Sequence, residues 1–228
     1  MDYLEGQTIL VDKPLNWTSF DVVNKIRWNL KRKLEVKKIK VGHAGTLDPL
    51  ATGLLILCTG KHTKTIEKIQ AEEKTYTGTI LLGKTTPSYD LESEYNESFP
   101  VDHITTELLE DIRLTFLGEQ EQFPPIFSAK QVNGQRAYDL ARAGKKVELK
   151  ANTIEVFSFD INTERFPEID FEIKCSKGTY IRSIAHDFGK KLNSGGTLIS
   201  LRRTASGNYH VKDAYTIENL IEKINETD

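Results

Sequence analysis

Residues 42–53 read GHAGTLDPLATG and run directly into the apolar segment LLILC at 54–58. The stretch holds one carboxylate, Asp48, and one imidazole, His43. The ring of Pro49 disfavours the helical region for the residue before it, so Asp48 is held in an extended or turn geometry. Gly42, Gly45 and Gly53 let the backbone turn sharply or let a ligand come close. The apolar run that follows reads as a buried strand ended by Gly60. The segment thus presents an acid on a shaped loop rather than inside a regular element. Taken alone, an Asp-Pro pair in a Gly-rich stretch also fits a plain turn.

Outward from this loop, strand and helix patterns mix. Residues 6–12 are strand-like and stop at Pro14, and Thr18 or Ser19 can cap a helix whose Val23, Ile26, Leu30 and Leu34 share a face. Residues 75–82 are β-branched and apolar, closed by Gly83, and lead into the acidic loop TTPSYDLESEYNESFP. Ile104, Leu108, Leu109, Ile112 and Phe116 mark a second helix stopped at Gly118. Pro124, Pro125 and the Asn133-Gly134 pair place 123–135 in loop or hairpin, followed by a short helix at 137–143 that Gly144 caps. Residues 146–161 and 168–176 read as strands, and Thr179 can cap a helix with Ile181, Ile184, Ala185, Phe188 and Leu192 on one face. Residues 198–211 return to strand and 217–224 form a terminal helix. There is no regular βαβ rhythm, so the fold class is α+β with a mixed, largely antiparallel sheet and flanking helices.

The chain has 228 residues, 38% apolar and 28% charged, which suits one large soluble domain with a real core. The apolar run at 54–58 is far too short to span a bilayer, and the opening MDYLEGQTIL carries acids where a targeting peptide would be basic. These features place the chain in the cytoplasm. Cys58 and Cys175 lack a CxxC or His partner and read as core thiols. The net charge of -2 argues weakly against a nucleic-acid partner, but the charge is sorted along the chain. Residues 31–40 hold six bases and one acid, 128–150 six and two, and 171–203 seven and two, whereas 90–121 hold ten acids and one base. One face could meet a polyanion, although each cluster alone is also what a solvated surface looks like.

Several chemistries fit poorly. His43 and Asp48 lie five apart on a loop with no third metal ligand in sight. A Ser-His-Asp triad lacks its strand-turn-helix nucleophile signal, a two-carboxylate glycosidase needs a second placed acid, and no Gly-Lys-Ser/Thr phosphate loop is present.

GHAGTLDPLATGLL strongly resembles the catalytic motif of the TruB family, the tRNA pseudouridine-55 synthases. In chain order, ILVDKPLNWTS, KTYTGTILLG, TTPSYD, FSAKQVNGQRAYDLARAG, CSKGTYIRSIAHDFG and LRRTASG resemble the rest of the family's pattern, from Gly6 to Gly207. The resemblance implies the pseudouridine synthase fold with an RNA-binding cleft, and base flipping of a T-loop uridine at position 55. It implies that Asp48 is the catalytic nucleophile, that Arg182 pairs with it, and that Asp90 holds Arg182 from its other side. Tyr76 would lie against the target base, Leu201 would pack on the uracil, and His43 would fill the stack the base leaves. Lys13 and Tyr180 would support the site, Tyr180 beside the substrate. In the insertion near 123–150, Lys130, Arg142, Lys145 and Lys146 would grip the RNA backbone. By pattern alone Tyr76 is a packing residue, Arg182 a solvated one and His43 a hydrogen-bonded loop residue.

The implied organisation is a single catalytic domain over 1–228, a monomer acting on the T-arm of tRNA. Many relatives continue into a C-terminal PUA domain, which this chain, ending at Asp228, is expected to lack. Two departures from the family pattern, Gln131 after Lys130 and Pro87 in TTPSYD, touch RNA grip or loop shape. Pseudouridine formation detaches uracil at N1 and rejoins it through C5, with no atoms or electrons gained or lost. No metal and no cofactor are therefore expected. One carboxylate can attack C1′ or C6, or act in a path through C2′, and a neighbouring Arg keeps it ionised when RNA closes the site. A non-catalytic RNA binder or tRNA folding helper, and the guide-RNA type of synthase subunit, are the competing readings. A pure binder has no need of Asp48, Tyr76 and Arg182 together.

Overall fold

The structure, a computed structural model, describes residues 2–127, 131–132, 135–136 and 149–226. It divides into two compact units, Met1–Tyr76 with Leu201–Asp228, and Thr77–Ser200.

The first unit is built around the strand Ala51–Thr59. Thr8–Lys13 runs antiparallel to it, from Thr8 opposite Cys58 to Lys13 opposite Gly53. Val41–His43 also pairs with it antiparallel, while Leu201, Arg202 and Arg203 lie parallel to Ala51, Thr52 and Gly53. The central strand is buried on both faces, which is why LLILC shows no alternation. Leu55 and Leu57 pack with Val22, Val23, Ile26 and Leu30 of the helix Ser19–Lys33 and with Leu220 and Ile224 of the helix Ile217–Glu226. Leu54, Ile56 and Cys58 face the other way, against Ala44 and against Ile69 of the helix Ile66–Ala71. Each such side chain contributes about 1.5–3 kcal/mol by leaving water. The Ser19–Lys33 helix begins where expected, with Thr18 and Asp21 forming a capping box.

In the second unit Asn152–Asn162 pairs antiparallel with both Glu168–Cys175 and Gly118–Gln122. Phe116, Phe159, Phe171 and Phe188 meet in edge or tilted contacts with centroids 5.6 to 6.4 Å apart. Phe188 comes from the helix Ile181–Lys191, and the helix Thr106–Leu114 ends just before Phe116. Lys84–Thr85 pairs with Glu97–Ser98 and closes the acidic loop at its base. Gln131–Val132 pairs with Gln135–Arg136 as the hairpin expected at Asn133-Gly134. The helix expected at 137–143 lies outside the described residues. The strands Lys74–Leu82 and Gly196–Ser206 each begin in one unit and end in the other. With Leu201–Arg203 parallel to Ala51–Gly53 and the other strand pairings given above antiparallel, the pairing is mixed and largely antiparallel, as the sequence implies.

Two expectations are corrected. Thr179 does not cap the helix after it: its hydroxyl donates to the carbonyl of Ser176, and Tyr180 holds the N-cap position without a side-chain capping hydrogen bond. The strand expected over 198–211 ends at Ser206, turns at Gly207 (φ 52°), and returns as Tyr209–His210 paired on Ala205 and Ser206. Both cysteines are buried thiols outside any disulfide, as read. Among the described residues no helix is long and apolar enough to cross a membrane.

Candidate active site

In the first unit the loop bearing Asp48 is fastened along its length. The Ala44 N–H donates to the Ile56 carbonyl at 2.8 Å. Ser19 Oγ accepts from the Leu47 N–H at 2.8 Å and donates back to the Leu47 carbonyl at 3.2 Å. Beyond Asp48, the Asn16 N–H donates to the Pro49 carbonyl at 2.9 Å, and the Ala51 N–H to the Asp48 carbonyl at 3.0 Å. The Asp48 backbone is therefore fixed on both sides while its residue stays half-buried. A carboxylate carried on backbone held this way meets a substrate with little reorganisation of the chain.

Lys13 supports the same loop from inside. It is 0% exposed, and its Nζ donates to the carbonyls of Trp17 at 2.6 Å, Pro14 at 3.0 Å and Pro49 at 3.4 Å. Burial pulls its pKa down to about 8, the Asp48 carboxylate opposing and the Arg203 guanidinium reinforcing that fall. His43 ends the short strand Val41–His43. Burial first, then Arg203, push its pKa below the usual imidazole value, which favours the neutral ring. Its Nδ1 is buried, and the backbone of Gly45 opposes the fall. Tyr76 is buried at 9% exposure in Lys74–Leu82, and Leu201 stands half-buried opposite Ala51 in the parallel ladder.

In the second unit the helix Ile181–Lys191 carries Arg182 in its first turn. The periodicity puts this residue opposite the Ile181, Ile184 and Phe188 face, where solvent is the ordinary reading. Instead the first turn is enclosed on every side, with Ile181, Arg182, Ser183, Ile184 and Ala185 all buried. Arg182 Nε lies 3.7 Å from Asp90 Oδ2, and its Nη1 donates to the carbonyls of Phe127 at 3.0 Å and Ser88 at 3.3 Å. Asp90 is itself held: its carbonyl accepts from Thr86 Oγ1 at 2.7 Å, and its Oδ1 from the Glu92 N–H at 3.0 Å. Between them Tyr89 adopts φ 66° and stacks on His186 with centroids 3.9 Å apart and planes 15° from parallel. Tyr180 is bound through its backbone, its N–H donating to Gln122 Oε1 at 2.7 Å and its carbonyl accepting from Gln122 Nε2 at 3.0 Å.

Among the residues read from sequence, Asp48, Lys13 and His43 belong to one connected corner of the first unit. Arg182, Asp90 and Tyr180 cluster in the second. Lys130, Arg142, Lys145 and Lys146 lie outside the described residues. Sequence reasoning did not single out Gln122 or Arg203, and weighed Ser19 only as a helix cap. Each acts on backbone distant in sequence, and an alternating strand around Arg203 gave no sign that its side chain points inward.

Residues 31–181 match the model of the TruB family pseudouridylate synthase N-terminal domain, and 182–228 that of the tRNA pseudouridylate synthase B C-terminal domain. The chain is 54% identical over 217 residues to the tRNA pseudouridine synthase B of Flavobacterium johnsoniae, covering 95% of each chain. It is also 54% identical over 222 residues to the protein of that name from Phocaeicola vulgatus, covering 97% of this chain and 94% of the relative. Among solved structures it is similar to a chain in the crystal structure of a Cbf5-Nop10-Gar1 complex, with a TM-score of 0.72 and 25% identity. The match covers 96% of this chain and 54% of that one, so this chain spans about half that chain's length. An H/ACA RNP bound to a substrate RNA containing 2′-deoxyuridine shares the fold at a TM-score of 0.69 and 23% identity.

Proposed function

The chain belongs to the TruB family of pseudouridylate synthases, and from that premise we propose that it isomerises uridine to pseudouridine in tRNA, at position 55 of the T-loop, with Asp48 as nucleophile. The observation that carries the reading is the fastening of the Asp48 loop, from Ala44 to Ala51, around a half-buried carboxylate. A binding surface needs no such immobile acid. The target base leaves its stack and enters the site. Tyr76 lies against it, Leu201 packs on its face, and neutral His43 fills the vacated stack. Arg182, oriented by Asp90, balances the Asp48 charge once RNA excludes water, and Tyr180 lines the substrate side. The glycosidic bond at N1 breaks and a carbon–carbon bond to C5 forms. The C5 proton leaves, N1 takes one up, and neither a metal nor a redox partner enters the balance.

The test is incubation with an unmodified tRNA transcript, followed by carbodiimide derivatisation and reverse transcription. A single stop at position 55, absent from a transcript with cytidine there, is the expected result. No stop would overturn the activity, and a stop at another uridine would overturn the position.

A further inference from the structure

We propose that Arg203 is a positioning residue for the nucleophile, its guanidinium tying together the two ends of the loop that presents Asp48. The inference rests on Asp48 being the nucleophile and adds a residue that works only through it. Arg203 is 2% exposed and is the largest fully buried side chain among the described residues. Its Nε donates to the Leu54 carbonyl at 2.8 Å, its Nη2 to the Gly45 carbonyl at 3.1 Å, and its Nη1 to the Thr46 carbonyl at 3.5 Å. Gly45 and Thr46 precede Asp48 in the chain and Leu54 follows it, so one planar group spans the loop.

Stability alone does not call for this residue. Among the described residues no carboxylate lies within ion-pair distance of Arg203. A buried cation without a counterion is generally less stabilising than an apolar side chain of equal size. What the guanidinium supplies is a rigid fork of donors matching several acceptors at once, which an ammonium group cannot copy. The backbone on each side is close-packed. Gly53 stands at φ 98°, and a Cβ there would lie 2.3 Å from the Arg203 carbonyl oxygen. Arg203 also lies two residues beyond Leu201 on one strand, so one element sets both the uracil-packing residue and the nucleophile loop. Its charge is felt at His43 and Lys13, which places it under the same corner.

The decisive variant is Arg203→Lys, which keeps size and charge but not the fork. It should remain folded and bind tRNA within about threefold of wild type, while the saturated single-turnover rate falls roughly 100-fold, as for a reacting group displaced by about 1 Å. Hydrogen exchange at the Ala44, Leu47 and Ala51 amides should accelerate about tenfold or more, with the amides of Thr8–Lys13 unchanged. A wild-type rate in Arg203→Lys overturns the proposal. So does faster exchange spread evenly over the first unit, or a rate loss matched by an equal loss of tRNA affinity. Asp48→Asn is run beside it: full turnover there would refute the nucleophile. The exchange measurement needs no activity and decides separately whether Arg203 holds the loop.

Discussion

Lys13 keeps an ammonium group where water does not reach, bonded among the described residues to the backbone carbonyls of Trp17, Pro14 and Pro49. Burial lowers its pKa to about 8 from 10.5, so between those values the unfolded chain holds more of the proton than the folded one. Stability contributed through Lys13 therefore rises as pH goes from about 8 towards 10.5, and the cost of burying the charge is fully present below that window. Denaturant unfolding of wild type and Lys13→Met across this range should show the difference between them shifting in favour of wild type as pH rises; a pH-independent difference would contradict it. Asp48 is the complementary case, half-buried on a loop whose backbone is already satisfied. Asp48→Asn keeps the shape but removes the anion. It should abolish turnover and leave tRNA affinity within about tenfold, or ~1.4 kcal/mol. Residual isomerisation of even a few per cent would show that another group carries the chemistry.

Strands decide how firmly the loop is mounted, and Gly53 shows it. A Cβ there would meet the Arg203 carbonyl oxygen at 2.3 Å and the Arg203 nitrogen at 2.9 Å, both backbone atoms of the parallel partner strand. Gly118 has a comparable φ of 88°, yet among the described residues nothing lies within 4 Å of a Cβ built on it. Gly53→Ala should thus cost about 2–4 kcal/mol and slow the reaction, while Gly118→Ala should cost about 1 kcal/mol from backbone strain alone. Equal losses in urea unfolding would show that φ, not the close approach of Arg203, sets the requirement. The same elements show what was legible in the sequence. The strand around 54–58 and the helix capped by Thr18 could be read because burial and capping leave local patterns. The strand Gly118–Gln122, GEQEQ, could not, because its polar alternation carries no apolar face and its place is set by pairing with Asn152–Val156. For the site, Asp48 stood out through an ordered set of motifs. Arg203 did not, because its acceptors Leu54 and Gly45 lie 149 and 158 residues away in sequence. Arg182 was likewise legible only by resemblance, since a helical wheel places it toward solvent while the structure buries it at 5% exposure.

Over the whole molecule, charge carries what composition hides. A net charge of -2 gives little attraction for a polyanion, yet Lys31, Arg32, Lys37, Lys38 and Lys40 are all exposed at the end of the Ser19–Lys33 helix and in the segment after it. That segment leads into Val41–His43 and so into the Asp48 loop, which puts a basic surface in chain continuity with that loop. Acids are concentrated instead in 90–121, where a phosphate backbone would be repelled. Lysines that meet phosphates position RNA without reading its sequence, and each phosphate they neutralise releases counterions. Changing Lys37 and Lys38 together to Ala should weaken tRNA binding and flatten its logarithmic salt dependence by roughly 0.7 to 0.9 for each phosphate no longer neutralised, about one to two in total. Neither lysine takes part in the loop bonds described above, so the saturated single-turnover rate should stay near that of wild type. The measurement is tRNA affinity at several salt concentrations, paired with single-turnover kinetics at saturating enzyme. An unchanged slope would show that this segment faces solvent in the complex and that grip comes from elsewhere, 128–150 being the other basic segment outside the catalytic motifs. A collapsed rate with unchanged slope would instead mean that residues 31–40 shape the Asp48 loop through the chain that joins them.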